Sequence, residues 1–267
     1  MKQSNTLANG FIKAFVDGAK GLLVIDNPQR KNAITATMWR AIPDAIHWLH
    51  AEAGARAIVL AGGGQVDFSA GADISEFTEL RKDAATARIY EASNSRAFAA
   101  IREAPVPVIA AVRGICYGGG FGLAAAADLR LASTEAVFAV PAAKLGLAYP
   151  ADAVQDFVRG LGSQLARKAL FTGAPLKAAE LIAAGFLCDV TATADLETRT
   201  DMLAEALAAN APLSLRASKL ALRAVELGDD DLLREAEVIG ASTFESADYR
   251  EGRAAFAERR RPVFTGR

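Results

Sequence analysis

The chain has 267 residues, 52% hydrophobic and 23% charged, with a formal net charge of −1 and a pI of about 6.2. That is globular composition with length for one large core, and the near-neutral charge gives no reason to expect a nucleic acid or membrane partner. Cys116 and Cys188 belong to no CxxC pair, no apolar run long enough to span a bilayer occurs, and the N-terminus lacks an apolar leader core, so a reducing, cytoplasmic setting is expected.

Residues 1–9 are polar and read as a loose end. "FIKAFVDGAKGLLVID" reads as two short strands around an Asp17-Gly18 turn. "NPQRKNAIT" turns into a helix over about residues 35–53, with Thr35 as N-cap. "RAIVLAGGG" is a buried strand ending in a glycine turn, and "FSAGADISEF" is a loop leading to a helix over about residues 84–103. In "VPVIAAVRG", Pro105 and Pro107 mark the start of another buried strand. The glycines of "CYGGGFG" then open a short apolar helix, followed by "DLRLAS" and "AVFAV" as strands. From about Gln155 the pattern is mostly helical, broken near Gly173, Gly185, Asn210 and Gly228. Strand followed by helix, repeated, predicts parallel crossover units in an α/β core over residues 1–195. Residues 196–267 are expected to form a helical region that packs on the core or on a neighbouring subunit.

Gly118, Gly119 and Gly120 lie between a buried strand and a helix. Glycine lets a backbone approach a ligand, and a helix N-terminus offers free N–H groups and partial positive charge to an anion. The run is neither GxGxxG, because Leu123 takes the last position, nor a P-loop. Alone, it is equally a turn that serves strand–helix packing. "FSAGADI" is a second backbone-rich loop after a buried strand, and the pair carries more information than either part.

Together "FSAGADI" and "VRGICYGGGFGLAAAADLRLAS" resemble the crotonase superfamily, the enoyl-CoA hydratase/isomerase family. "NPQRKNAIT", "VPVIAAVRG", "FAVPAAKLGL" and "ESADYREGRAAFAERRRPVFTGR" resemble further family segments, in the family's order, across residues 11–264. The resemblance implies a spiral of ββα units with a C-terminal helical region, and a homotrimer or hexamer. It also implies an acyl-CoA thioester substrate, with no cofactor beyond the coenzyme A that the substrate carries. The thioester oxygen would sit between the N–H groups of Ala72 and Gly119. Ala70 and Ile74 match the loop around the adenine and pantetheine, and Arg30 or Lys31 a basic position near the phosphates. Arg259 matches a tail residue that reaches CoA phosphates, against the alternative of a solvated basic end.

Family hydratases use two glutamates, one after the glycines and one after the proline of the P-E-x-x-LGL segment. Here those positions hold Gly122 and Ala142, and neither transfers a proton. Asp152 lies near the carboxylate position of some family isomerases, with helix capping as the alternative. Tyr149 is a further candidate hydrogen-bond donor. Asp73 and Asp128 read as structural, Glu76 and Glu79 as residues of the cleft mouth, and Cys116 and Tyr117 as packing. His47 and His50 have no partner cluster for a metal. Isomerase, hydrolase or decarboxylase chemistry suits this set better than hydration; a catalytically weak acyl-CoA-binding protein is the alternative.

Overall fold

A computed structural model describes residues 3–267. The N-terminal segment is a strand, not a loose end: β1 (Gln3–Leu7) pairs antiparallel with β2 (Ile12–Asp17), which turns at Gly18 into β3 (Lys20–Ile25). β1 is an edge strand held through its backbone, a bond that side-chain pattern does not announce. Alternation is clear in β2, where Ile12, Ala14 and Val16 are buried. Helix α1 (Ala36–His47) starts where Thr35 Oγ1 accepts the Met38 N–H, and its buried face carries Met38, Trp39, Ile42 and Ile46.

The chain then alternates as its glycines and apolar runs predict. β4 (Ala57–Gly62) leads through a long loop to α2 (Phe77–Leu80) and α3 (Ala84–Glu103), the latter started by a capping box between Asp83 and Thr86. β5 (Val108–Val112), buried throughout, and β6 (Ile115–Tyr117) precede α4 (Gly119–Ala126). Next come β7 (Leu129–Ser133), β8 (Val137–Ala139) and α5 (Ala151–Thr172). Within the region read as helical, β9 (Leu176–Lys177) and β10 (Asp189–Thr191) flank α6 (Ala178–Ala183). Strands of two and three residues are too short to show alternation.

Strands β3, β4, β5, β7 and β10 run parallel in a sheet of order β1-β2-β3-β4-β5-β7-β10, and β6, β8 and β9 form a second, small sheet. Between the sheets and the helices, Phe121 of α4 meets Phe157, Phe138 and Phe186 at centroid distances of 4.7, 5.2 and 5.4 Å. This aromatic cluster fixes α4, and with it the glycine turn at its start. On the other face of the large sheet, Leu196, Ala204 and Ala208 of α7 (Leu196–Ala208) pack on Ala57, Val59, Ile109 and Leu131. Helices α8 (Pro212–Leu227) and α9 (Asp230–Ser242) pack on each other, followed by α10 (Ala247–Glu258). Among the described residues no helix is long and apolar enough to cross a membrane.

Candidate active site

Two loops meet at the ends of β4 and β6. The first is tied from below: Ser69 Oγ donates to the Asn32 carbonyl at 2.7 Å and accepts the Gly71 N–H at 3.1 Å. The Ala70 N–H bonds the Lys31 carbonyl, the Ile34 N–H bonds the Gly71 carbonyl, and the Asp73 N–H bonds the Ile34 carbonyl. The Asp73 carboxylate accepts from the Ser75 N–H and hydroxyl and from Arg30 Nη1. Burial pushes that carboxyl up, but the Ser75 and Arg30 contacts outweigh it and hold its pKa below the ordinary value.

The second loop is the glycine turn. The Gly118 N–H donates to the Ala139 carbonyl at 2.8 Å, while the Gly118 carbonyl accepts from the Gly122 N–H at 3.0 Å and from Tyr149 Oη at 2.8 Å. Gly71 is where the loops touch. Its φ is +89°, and a β-carbon there would lie 2.6 Å from the Tyr117 carbonyl oxygen and 2.9 Å from the Gly119 nitrogen. Only glycine allows that approach. As a result the Ala72 and Gly119 N–H groups come together with, among the described residues, no acceptor for either. Both line a cavity of about 100 Å³, with Ala70 and Ile74 also in its wall.

Gly122 and Ala142 carry no carboxylate into this space. A β-carbon at Gly122 would lie 2.6 Å from Tyr149 Oη and 2.7 Å from Phe98 Cζ, so those side chains fill the volume beyond it. Ala142 lines the cavity. Tyr149 also lines it; burial pushes its phenol well above the ordinary value, and its proton is committed to the Gly118 carbonyl.

The other expected residues lie outside the cavity wall. Asp152, in the first turn of α5, accepts from Ser95 Oγ at 3.1 Å and Arg102 Nη2 at 3.3 Å, and is not in the cavity wall. Arg30 sits on Asp73 and Ser75 at the rim of the first loop, and Lys31 is exposed beside it with φ +52°. Arg259 is exposed at the C-cap of α10, outside the wall. Glu76 Oε2 accepts the Ala36 N–H and so caps α1. Asp128 accepts the Val108 N–H and binds Lys219, as a structural residue would. No group of His, Cys, Asp and Glu side chains among the described residues could hold a metal ion.

Helix α3 brings to the cavity polar groups that no sequence motif announces. Glu91 and Asn94 both line it. Glu91 Oε1 lies 2.8 Å from Arg81 Nη2, whereas Glu91 Oε2 and Asn94 Oδ1 are buried without a hydrogen-bond partner among the described residues. The Arg81 guanidinium is itself held over the Phe77 and Tyr90 rings, 4.2 and 4.4 Å from their centroids. Burial pushes the Glu91 carboxyl above its ordinary pKa; Arg81 opposes this and the negative Asp152 adds to it. One signal was available: Ser93 and Asn94 interrupt the otherwise apolar buried stripe Tyr90, Ala97, Phe98 and Ile101.

A family model described as "Enoyl-CoA hydratase/isomerase" matches residues 19–267. The chain is 34% identical to the Bacillus subtilis protein YngF over 92% of this chain and 94% of that protein. It is 29% identical to a short-chain-enoyl-CoA hydratase of Clostridium acetobutylicum, with 92% and 94% of the two chains covered. Among solved structures it is similar to an enoyl-CoA hydratase/carnithine racemase from Magnetospirillum magneticum, with a TM-score of 0.91, 32% identity, and 98% and 97% of the chains covered.

Proposed function

The chain belongs to the enoyl-CoA hydratase/isomerase family and has the crotonase-type α/β fold, and from that premise we propose that it is an enzyme acting on an acyl-CoA thioester. The observation that carries this is the pair of unpartnered N–H groups, Ala72 and Gly119, forced together at Gly71 on the wall of a small cavity. A thioester carbonyl placed between them becomes an enolate or tetrahedral oxyanion whose charge both donors meet. Removing one such donor typically costs ~3–4 kcal/mol of transition-state stabilisation. The cavity admits the acyl head; coenzyme A, as part of the substrate and the sole cofactor proposed, lies outward over Ala70 and Ile74 with Arg30 or Lys31 near its phosphates. Arg259 reaches them from a neighbouring copy in a cytoplasmic homotrimer or hexamer.

With Gly122 and Ala142 in the places of the usual carboxylates, hydration of an enoyl-CoA is expected to run ~10²-fold or more below a two-carboxylate hydratase. Isomerase, hydrolase or decarboxylase chemistry fits better. The same two residues favour a second reading, an acyl-CoA-binding protein with weak catalysis. Calorimetry with acetyl-CoA, crotonyl-CoA and free CoA, paired with the loss of enoyl-thioester absorbance, tests these readings. Binding of the thioesters with slow hydration is expected. No binding of any of them at millimolar concentration overturns the thioester site, and fast hydration overturns the role given to Gly122 and Ala142.

A further inference from the structure

We propose that Glu91 is the proton carrier of this site, its Oε2 taking and returning a proton at the carbon next to the thioester carbonyl. This rests on the reading of the cavity as a thioester site. The residue lines the same cavity as the Ala72 and Gly119 N–H groups. Its two oxygens have different surroundings: Oε1 is anchored by Arg81 at 2.8 Å, and Oε2 is buried and unpartnered among the described residues. A carboxylate held by one oxygen with the other left free is positioned to act as a base. Leaving a buried carboxylate oxygen unpaired is costly, and a ligand hydrogen at that point removes the cost. Asn94 Oδ1, also buried and unpartnered, supplies a second acceptor on the same helix face.

The step balances without a further reactant. Oε2 takes the α-proton, the C–H pair becomes the C=C of the enolate, and the carbonyl π pair moves to the oxygen held by the Ala72 and Gly119 N–H groups. Return of the proton to the α-carbon gives exchange, and return to the γ-carbon of an enoyl chain moves the double bond. A single carboxyl suffices for both, whereas hydration of the double bond needs a second group to position water. The expected activity is therefore a proton shift or α-proton exchange on a short acyl chain.

The charged groups facing Glu91 are Arg81, from the segment after α2, and Asp152, from the first turn of α5, and the titratable phenol of Tyr149 lines the same cavity. Helix α4 has no titratable side chain, and Arg40, Asp44 and His47 of α1 are exposed. Burial and Asp152 push the Glu91 carboxyl up and Arg81 draws it down, with the balance upward. The base works ionised, so the rate rises with pH through a value above the ordinary glutamic acid range.

The experiment is deuterium incorporation at the α-carbon of butyryl-CoA in D₂O, followed by NMR across pH, with calorimetric binding of butyryl-CoA on the same samples. Glu91→Gln keeps an oxygen for Arg81 and loses the base; a fall in exchange of ~10²-fold or more, with affinity within a few-fold, is expected. Glu91→Asp keeps a carboxylate and should retain slow exchange with an acid limb. Arg81→Met should move that limb to higher pH, which a merely structural role would not do. A Glu91→Gln protein that binds butyryl-CoA and exchanges at the wild-type rate overturns the assignment and leaves the thioester site standing, as does a wild-type protein that binds without exchange. Wild-type protein that binds no thioester overturns both.

Discussion

A β-carbon at Gly122 would fall 2.6 Å from the Tyr149 hydroxyl and 2.7 and 2.9 Å from two carbons of the Phe98 ring. Helix propensity favours alanine over glycine by ~1 kcal/mol, but overpacking a buried site typically costs ~1–3 kcal/mol. Phe98 is packed edge-on to Trp39, and Tyr149 is tilted against Phe157 and bonded to Gly118, so neither ring is free to yield. Gly122→Ala is therefore expected to lower stability in urea unfolding, with Gly122→Glu worse. Tyr149→Phe should itself cost ~1 kcal/mol, since the Gly118 carbonyl loses a donor. It also relieves the contact at Gly122, so the double variant should lose less than the two separate losses combined. Strict additivity would mean that Tyr149 does not fill the space beyond Gly122. The two backbone loops were legible in the sequence because close approach demands glycine, and glycine is visible as a letter. What occupies the volume next to a glycine is not, since Tyr149 and Phe98 arrive from distant segments. Glu91 was hidden for the same reason: its meaning depends on Arg81 across a turn and on the opposing glycine loop.

Elements with a local cause were legible. Thr35 caps α1, Asp83 with Thr86 caps α3, and the Pro105–Pro107 segment starts β5. β1, β9 and β10 had no local cause, being held by pairing to β2, β8 and β7. Helix α8 shows the same division. Its helical spacing was readable, but its seat on the core is set by charge: Lys219 Nζ donates to Asp128 Oδ2 at 2.7 Å and to the Val106 carbonyl at 3.1 Å, and Arg223 pairs with Glu103 at 2.9 Å. The only buried residue of α8 is Ala224. Lys219→Ala leaves Asp128 with the Val108 N–H alone and removes one partner of a largely buried pair, a loss of up to ~3 kcal/mol. Amide hydrogen exchange in α8 and α9 should accelerate in this variant while β5 keeps its protection. Unchanged protection in α8 would assign its seat to apolar contacts.

At the scale of the whole molecule, the helices beyond α7 leave much apolar surface in water. Leu222 and Val225 of α8, Val238 of α9, Phe244, and Phe256 of α10 are 66–87% exposed. Large side chains held out from helices that bury little else are the surface a second copy would cover. The expected particle is three or six times the 28.0 kDa chain mass, measured by sedimentation, with a thermal midpoint that rises with protein concentration. Val225→Asp together with Phe256→Asp should dissociate it; a wild-type monomer at all concentrations would leave these faces without the assigned role. Association also bears on the site. Arg259 follows α10 directly, is exposed, and stands outside the cavity wall of its own chain. If it reaches the phosphates of coenzyme A bound to a neighbouring copy, two treatments must weaken binding alike: dissociation by the paired aspartates and Arg259→Ala in the intact oligomer. Both should lower affinity for acetyl-CoA and make it less sensitive to salt. Neither should change affinity for an acetyl-pantetheine thioester, which lacks the phosphates of coenzyme A. Equal loss for both ligands would mean that the interface shapes the acyl cavity, and no loss for either would confine Arg259 to solvent.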